Sequence, residues 1–348
     1  MSKRIVALPG DGIGTEIMDS ALTILEEIMV QDNLDFDIEH FAFGGAGIDE
    51  KGDPLPEETL NACENADAIL LGAIGGPKWD NAPKRPEQGL LGLRKALGLF
   101  ANIRPISVPD AVIHLSPLKE ENVRGVDFVV VRELTGGIYF GEKKLGETEA
   151  SDLCTYSKGE IQRIIRKAFE IARTRKKKVT SVDKANVLAT SKLWRKTAEE
   201  VAQEFPDCTL EHQLVDSAAM VMIQKPKAFD VIVTENLFGD ILSDEASVIP
   251  GSLGMMPSAS HSESGPSLYE PIHGSAPDIA NQNIANPMSM ILSAAMMLRQ
   301  SFSLESSAKK IEDACDRVMN QGILTTDLGG KATTTDFTES VLKELRGA

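Results

Sequence analysis

The sequence predicts an α/β protein with two domains. Short apolar stretches alternate with amphipathic helical stretches, as where Ile5–Leu8 precedes a helical pattern and where Glu57–Asn65 leads into the apolar run Ala68–Leu71. Strands that alternate with helices in this way form a sheet with helices packed on it. The chain has 348 residues, which is more than one hydrophobic core ordinarily organises, so two domains are expected.

The composition is typical of a globular protein and argues against nucleic-acid binding. Hydrophobic residues make up 42% of the chain and charged residues 25%. The formal net charge of −16 would repel a phosphate backbone, so no nucleic-acid partner is expected. The basic run 173–178 is the exception, and it follows a helical pattern. We interpret it as a helix C-terminus, where cations are favoured.

Cysteine spacing and hydropathy predict a cytoplasmic protein without a membrane partner. The four cysteines contain no Cys-x-x-Cys pair, which indicates reduced thiols instead of a disulfide frame or a zinc site. The apolar core of residues 1–9 is too short for a signal peptide. The longest nearly apolar segment, Met288–Leu298, is too short to cross a bilayer and predicts a buried helix.

The first glycine-rich loop, Gly10–Gly14, lies between a predicted strand and a predicted helix. This arrangement invites comparison with the dinucleotide-binding fingerprint, but Thr15 stands where the third glycine would be. We favour the interpretation that the glycines permit a tight turn and that Thr15 caps the helix. The loop can still border a ligand.

A second glycine-rich loop, Gly72–Trp79, leaves the carboxyl end of the strand Ala68–Leu71, where ligands collect in open α/β sheets. The helical stretch after it places Leu90, Leu91 and Arg94 on one face together with Glu87. Such a face is either core packing with a snorkelling arginine or a site for a ligand that has an alkyl group and a carboxylate.

Two further arginines, Arg104 and Arg132, lie at the ends of predicted elements, where side chains can converge with that of Arg94. A guanidinium group can donate two hydrogen bonds to one carboxylate, so the three arginines together predict a binding site for a polycarboxylate. Each arginine alone is more often part of a surface ion pair. Tyr139 lies in a glycine-flanked loop and is either an acid or a packed ring. Lys184 ends a predicted strand and is either a base with a depressed pKa or a solvated turn residue.

Three aspartates suggest a cation site. Asp240 and Asp244 are four residues apart and follow the buried strand 231–234, so their carboxylates share one helix face. Gly239 is interpreted as a tight turn before a helix that starts at Ile241. The pair suits a hard divalent cation, unless Asp240 is only a helix cap and Asp244 a solvated residue. Asp216 ends another predicted strand.

Residues 258–266 are expected to be disordered. A third candidate loop follows them. In it, Gly274–Ala276 allows close approach of the backbone to a ligand, and Asp278 is either a cap or an acceptor for a ribose diol.

From end to end, the chain resembles the isocitrate/isopropylmalate dehydrogenase family. The most specific motif is Asn236–Asp244, which continues to Gly251–Gly254, and the supporting motifs are Leu8–Gly14, Arg132–Tyr139 and His273–Ala280. Thr15 stands where the family often has proline and Asn281 where glycine is common. Both positions lie at element boundaries, and neither difference is expected to change the chemistry.

The resemblance implies a fold distinct from a Rossmann module, with two domains that share a mixed sheet. Residues 1–100 and 252–348 would form a discontinuous cofactor-binding domain, and residues 101–251 a domain for substrate, metal and dimerisation. It also implies a homodimer with a site in the cleft between domains. Lys184 and Asp216 would come from the partner subunit.

The resemblance implies a role for each candidate residue. Isocitrate enzymes of the family usually carry a serine in the region of Leu90 and Leu91, so the leucines imply a 3-isopropylmalate substrate. Arg94, Arg104 and Arg132 would bind its carboxylates, and Leu90, Leu91 and Val187 its isopropyl group. Mg²⁺ or Mn²⁺ would be held by Asp216, Asp240 and Asp244, of which Asp216 also faces the substrate. Lys184 would take the hydroxyl proton, and Tyr139 would protonate the enolate that is left after decarboxylation.

The cofactor implied is NAD, because Asp278 would repel the 2′-phosphate of NADP. Its contacts would come from two loops, through Gly76, Pro77, Lys78, Trp79, Glu87, His273, Gly274, Ser275, Ala276, Pro277, Asp278, Ile279 and Asn286. The reaction would be an oxidative decarboxylation in leucine biosynthesis.

Two alternatives remain open. A sister enzyme of the family would act on homoisocitrate, tartrate or malate. A non-catalytic regulatory subunit would keep the fold, although such subunits usually lose a catalytic group and this chain has all of them. A metal-dependent hydrolase is disfavoured because no histidine accompanies the aspartates.

Overall fold

The computed structural model describes residues 2–347, which divide into two compact units. One unit contains the chain up to Leu99 and again from Ser252 onward, and the other is Phe100–Gly251. The strands, in chain order, are β1 (Lys3–Gly10), β2 (Phe36–His40), β3 (Ala68–Ala73), β4 (Ala101–Ser107), β5 (Asp127–Glu133), β6 (Lys143–Leu145), β7 (Ala150–Asp152), β8 (Lys178–Asp183), β9 (Thr209–Leu214), β10 (Val231–Thr234), β11 (Pro257–His261) and β12 (Ser267–Pro271).

Twelve α-helices of four residues or more lie within the described residues. In chain order they are α1 (Gly14–Asp32), α2 (Gly45–Lys51), α3 (Glu57–Glu64), α4 (Pro86–Ala96), α5 (Glu120–Val123), α6 (Lys158–Arg173), α7 (Ala189–Ala202), α8 (Val215–Gln224), α9 (Asn236–Ser247), α10 (Met288–Phe302), α11 (Glu305–Asn320) and α12 (Thr334–Arg346).

In the discontinuous unit, five strands are ordered β2-β1-β3-β12-β11. All of these pairs are parallel except β11 with β12, which is antiparallel. Strand side chains alternate between faces, so Val6 and Leu8 pack with Phe43 and Leu93 on one side of the sheet. Helices α1, α10, α11 and α12 pack on one another. The apolar runs of β1 and β3 are therefore buried on both faces, as expected for inner parallel strands.

In the continuous unit, five strands are ordered β4-β5-β10-β8-β9. Strands β5, β10, β8 and β9 run parallel, and β4 is antiparallel to β5. The carboxyl ends of β5, β8 and β10 therefore meet at one edge. Helices α8 and α9 contact each other, and α9 also packs on β5. A separate hairpin, β6 with β7, is exposed along its whole length.

The α/β prediction is confirmed, and each unit contains both parallel and antiparallel pairs. Among residues 2–347, no helix has the length and hydropathy that a bilayer crossing requires.

Three local predictions are wrong. Helix α9 begins at Asn236, so Gly239 lies inside its first turn instead of before it. Thr15 lies inside α1 and makes no cap, because the helix begins one residue earlier. The segment expected to be disordered contains most of strand β11, which pairs with β12 and buries Ser258 and Ser260.

Candidate active site

The continuous unit brings several of the predicted site residues to one edge of its sheet. Arg132 is the penultimate residue of β5, Lys184 directly follows β8, and α9 begins two residues after β10. Because β4 runs antiparallel, its first half lies at the same edge, with Asn102 opposite Arg132. Ligand sites in open α/β sheets form at such an edge, where the carboxyl ends of parallel strands meet.

Arg132, Asp240 and Tyr139 form one polar group at this edge. The guanidinium of Arg132 pairs with one carboxylate oxygen of Asp240, and the hydroxyl of Tyr139 donates to the other at 2.9 Å. Arg132 lies 6.0 Å from the centre of the tyrosine ring. Partial burial and the bond to Asp240 raise the pKa of Tyr139, which keeps its proton on the oxygen at neutral pH.

Arg104 and Asp244 form a neighbouring group. Arg104 donates to Asn102 at 2.9 Å, to the hydroxyl of Ser243 at 2.9 Å and to Asp244 at 3.3 Å. The side chain of Arg104 is 13% exposed and that of Asp244 is 76% exposed. The arginine is therefore fixed while the carboxylate of Asp244 remains open to a ligand.

Lys184 and Asp216 pair with each other. This contact lowers the pKa of Asp216, whose carboxylate lies in the first turn of α8. The turn that carries Lys184 is rigid, because the backbone N–H of Lys184 donates to Ser191 at 3.0 Å and the buried Asp183 accepts two hydrogen bonds from Arg195. Val187 lies in the same turn and is 64% exposed.

The three aspartates predicted to hold a metal do not converge within this single chain. Among residues 2–347, no group of three or more His, Cys, Asp or Glu side chains could hold a metal ion. Asp240 and Asp244 share a face of α9, and Asp216 is held by Lys184 on α8. The donors available are carboxylate oxygens, which Mg²⁺ and Mn²⁺ prefer, and those of Asp216 and Asp244 are exposed, so the residues fit such an ion.

In the discontinuous unit, α4 carries the predicted alkyl pocket. Leu90 is half-buried against the core, whereas Leu91 is 49% exposed. Arg94 donates to Glu270 on β12 at 2.9 Å, and its Nε is buried without a hydrogen-bond partner among the described residues. Leu91 and Arg94 thus offer an apolar and a cationic contact on one helix. Glu87 lies at the start of α4 and pairs with Arg85 at 3.4 Å.

Asp11, a residue that the sequence did not single out, fixes the glycine-rich loops. Its carboxylate is buried and accepts the backbone N–H groups of Gly45 at 2.8 Å, Ala46 at 2.8 Å and Gly75 at 2.7 Å. Burial raises the pKa of Asp11, and these three hydrogen bonds oppose the rise. The first glycine-rich loop is also joined to the third candidate loop, because the backbone N–H of Ile13 donates to the carbonyl of Ser275 at 2.8 Å. A signal was present in the sequence, since an aspartate between two glycines is well placed to accept backbone hydrogen bonds.

The second glycine-rich loop is hydrogen-bonded to a residue of α2. Asp49 accepts from Lys78 at 2.6 Å and from the indole of Trp79 at 3.1 Å. Gly76 has a φ of 153°, a backbone conformation that side chains rarely adopt, and Pro77 is exposed. Lys78 and Trp79 therefore have contacts within the protein, and Gly76 is half-buried beside the Trp79 ring.

In the third candidate loop, some side chains are hydrogen-bonded within the protein and other residues are exposed or half-buried. Ser275 is buried and donates to the carbonyl of Gly75 at 2.7 Å, which joins two of the predicted cofactor loops. Asn286 accepts from the N–H of Met288 at 3.0 Å and donates to Asp327 at 3.0 Å, so its side chain also serves the start of α10. The loop's other members are exposed or half-buried: Gly274, Ala276, Pro277, Asp278 and Ile279.

His273 provides the test of whether these loops suit a nicotinamide cofactor. Its Nδ1 lies 2.9 Å from the carbonyl of Gly274, and its Nε2 is buried and has no partner in the part of the chain that the structure describes. Burial lowers the pKa of His273, so the ring is neutral at neutral pH. A Cβ added to Gly274 would meet nothing within 4 Å. An orphaned ring nitrogen beside open backbone fits a ligand rich in hydrogen-bonding groups, such as a dinucleotide.

Comparison with known proteins gives a consistent result. The family model described as isocitrate/isopropylmalate dehydrogenase matches residues 4–341. A 3-isopropylmalate dehydrogenase from Listeria innocua is 71% identical over 348 residues, which cover 100% of this chain and 99% of that protein. A 3-isopropylmalate dehydrogenase from Streptococcus thermophilus is 66% identical over 345 residues, with 99% of this chain and 100% of that protein covered.

Solved structures agree with this result. An isocitrate dehydrogenase from Methylococcus capsulatus superposes with a TM-score of 0.88 at 35% identity, over 99% of both chains. A β-decarboxylating dehydrogenase from Thermococcus kodakarensis has a TM-score of 0.84 at 36% identity and covers 99% of this chain and 96% of that one. The chain therefore belongs to the isocitrate/isopropylmalate dehydrogenase family.

Proposed function

We propose that the protein oxidises and decarboxylates (2R,3S)-3-isopropylmalate to 2-oxo-4-methylpentanoate and CO₂, with reduction of NAD, in leucine biosynthesis. The main support is the full-length identity of 71% to a protein named 3-isopropylmalate dehydrogenase. The half-exposed Leu91 beside Arg94 agrees with a substrate that has both an alkyl branch and a carboxylate.

Substrate binding is assigned to three arginines and three apolar residues. Arg94, Arg104 and Arg132 bind the carboxylates, because a guanidinium offers paired donors that match a carboxylate. Leu90, Leu91 and Val187 contact the isopropyl group, which excludes water from the alkyl side of the substrate.

Asp216, Asp240 and Asp244 would hold Mg²⁺ or Mn²⁺. When bound, the ion would polarise the substrate's hydroxyl and carbonyl oxygens and stabilise the negative charge that develops on them. This assignment is supported by the position of Asp216 in the first turn of α8 and by the spacing of Asp240 and Asp244, which are four residues apart on α9.

Lys184 and Tyr139 move the protons. Lys184 accepts the proton of the C2 hydroxyl, and the C2 hydrogen leaves with its electron pair as a hydride. The C3 carboxylate then departs as CO₂ and leaves its bonding electrons in an enolate. Tyr139 donates its proton to C3 of that enolate, a role that suits a phenol whose raised pKa keeps it protonated.

The bound nicotinamide cofactor supplies the hydride acceptor. Its contacts are assigned to the second glycine loop (Gly76, Pro77, Lys78, Trp79), to Glu87, and to the third loop (His273, Gly274, Ser275, Ala276, Pro277, Asp278, Ile279, Asn286). Asp278 is exposed, and its carboxylate favours the 2′-hydroxyl of NAD over the charged 2′-phosphate of NADP.

A homodimer with shared sites completes the proposal. Lys184 and Asp216 of one subunit would act with Asp240 and Asp244 of the other. Support comes from exposed apolar side chains on α8 and on α9 and its C-cap: Met220 and Ile241 are each 58% exposed, and Val248 is 54% exposed. On the hairpin, Leu145 is 93% exposed. Such side chains are typical of a face that is covered in an assembly.

The test is a steady-state comparison of 3-isopropylmalate with isocitrate, homoisocitrate, tartrate and malate. NADH formation at 340 nm is followed with Mg²⁺ and after exhaustive chelation. We expect 3-isopropylmalate to have the highest kcat/KM and chelation to abolish activity. Preference for an acid without the alkyl branch would identify a sister enzyme, and the absence of turnover with any acid would indicate a non-catalytic subunit.

A further inference from the structure

Asn236 is a buried side chain to which the proposed chemistry gives no role. It is 1% exposed and is the first residue of α9. Its Oδ1 accepts from the Nε of Arg132 at 3.0 Å and from the Nη2 of the same arginine at 2.8 Å. The amide oxygen of Asn236 therefore accepts two hydrogen bonds from one edge of the Arg132 guanidinium.

Asn236 is itself held in place by hydrogen bonds to residues other than Arg132. Its Nδ2 donates to the carbonyl of Gly136 at 3.2 Å, and its backbone N–H donates to the hydroxyl of Tyr156 at 3.0 Å. The Tyr156 ring is buried and packs edge-on against Trp194, with ring centres 5.7 Å apart. The orientation of the amide is thus set by the protein, with its oxygen directed at Arg132.

Gly239 has no Cβ and so leaves room for the side chain of Arg132. The residue lies in the first turn of α9 with an ordinary helical backbone, so no turn requires a glycine there. Glycine weakens a helix relative to alanine. A Cβ at this position would lie 2.6 Å from the Cγ of Arg132 and 2.8 Å from its Cβ, near the rigid base of the side chain. An alanine there would have to displace the arginine or the helix.

These residues and Asp240 lie at i, i+3 and i+4 of one helical turn and contact the same arginine. We call Asn236, Gly239 and Asp240 the arginine cradle. The cradle holds Arg132 by its stem at Gly239 and by its guanidinium at the other two residues. Helical spacing explains why all three reach one partner.

We propose that Asn236 and Gly239 are positioning residues, which fix the guanidinium of Arg132 where it binds a substrate carboxylate. This inference rests on the proposed function, because that function assigns substrate binding to Arg132. An arginine on a flexible stem would lose rotamer freedom on binding the substrate, whereas an arginine in the cradle has already lost it.

The first experiment compares Asn236→Ala and Gly239→Ala with the unaltered protein. Each is expected to raise the KM for 3-isopropylmalate by about 10- to 100-fold, the range expected when hydrogen bonds to a charged group are lost. The KM for NAD should stay within about twofold in both variants, although both lower the midpoint of thermal unfolding, because Asn236→Ala loses buried hydrogen bonds and Gly239→Ala brings a Cβ against Arg132. Gly159→Ala on α6 is the matched control, since a Cβ there meets nothing within 4 Å.

The second experiment is a double-mutant cycle with Arg132→Lys. Lysine keeps the positive charge but lacks the Nε and Nη2 donors that Asn236 accepts. Asn236→Ala should therefore change kcat/KM by less than about threefold in the Arg132→Lys background, because interacting residues are not additive. Full additivity of the two substitutions would overturn the inference.

A purely structural role is distinguishable from positioning. It predicts equal increases in the KM for substrate and for NAD, whereas positioning predicts an increase in the KM for substrate alone. An unchanged substrate KM in Gly239→Ala would also refute positioning, even if Asn236→Ala failed to fold. If the unaltered protein prefers another acid, the proposed function fails but the cradle does not, because the same KM comparison is then made with that acid.

Discussion

Tyr139 and Asp240 share a hydrogen bond of 2.9 Å, in which the phenol is the donor and the carboxylate is also paired with Arg132. The tyrosine is thus oriented by one of the residues that would hold the metal. Proton donation and metal binding would depend on the same carboxylate.

Tyr139→Phe should therefore reduce kcat without disturbing the fold. General acid catalysis contributes about 10²- to 10⁴-fold, and we expect a loss in that range. The KM for 3-isopropylmalate should change little, because the arginines remain. NADH formation at substrate saturation measures the effect, and a kcat within about threefold of the unaltered protein would exclude Tyr139 as the acid.

Leu91→Ser should lower the preference for 3-isopropylmalate over malate. Loss of an alkyl contact in a pocket is worth about 10- to 200-fold in selectivity. We propose that Leu91, which is half-exposed on α4, supplies such a contact. The ratio of kcat/KM values for the two acids is the measurement. Val30→Ser is the control, because Val30 is 81% exposed on α1. Equal selectivity in both variants would remove Leu91 from the pocket.

Asp11→Asn should weaken cofactor binding. An amide can accept fewer of the three backbone N–H groups that Asp11 accepts, so the loop at Gly75 would be released. We expect the KM for NAD to rise by about tenfold or more, as for loss of a hydrogen bond to a charged group. Asp19→Asn, on the exposed side of α1, should have no effect. An unchanged KM for NAD would show that Asp11 has only a structural role.

Glu235 should make stability depend on pH. Burial raises its pKa from 4.5 to about 7, with a smaller contribution from the charge of Glu133. Between these pH values the folded state binds more protons than the unfolded state, so the free energy of unfolding falls as pH rises from 4.5 to 7. The difference amounts to about 3 kcal/mol, an upper figure for one group.

Glu235→Gln tests this pH dependence. The neutral amide removes the cost of the buried charge, so the variant should gain stability relative to the unaltered protein at pH above about 7 and gain little at pH near 5. Urea unfolding at several pH values measures the difference. Glu263→Gln, at an exposed position, should give parallel curves. A gain that is the same at every pH would argue against a buried charge at Glu235.

Much of the candidate site was predictable because its spacing is local. Asp240 and Asp244 share a helix face by their separation of four residues, and Arg132 and Lys184 lie at strand ends that parallel pairing brings to one edge. The α/β class followed from the alternation of strand and helix patterns.

The contacts that fix the site were not predictable, because they join distant parts of the chain. Asp11 accepts from Gly45 and Gly75, which are 34 and 64 positions away. The glycine at 239 was interpreted as a turn because glycine commonly marks one, whereas its reason is the stem of Arg132, 107 positions earlier. Buried serines in β11 have no apolar pattern, so that strand left no periodic signal.

The pairing of Lys184 with Asp216, apart from Asp240 and Asp244, has a consequence for mixtures of defective chains. If the sites are shared in a dimer, Lys184→Met and Asp240→Asn chains are each inactive alone. In a hybrid dimer, one site collects both defects and the other collects none. Unfolding and refolding the two inactive proteins together should then restore activity, up to about one quarter of all sites for random two-fold pairing. Complementation of this kind would require that each site take its lysine and its Asp240 from different subunits.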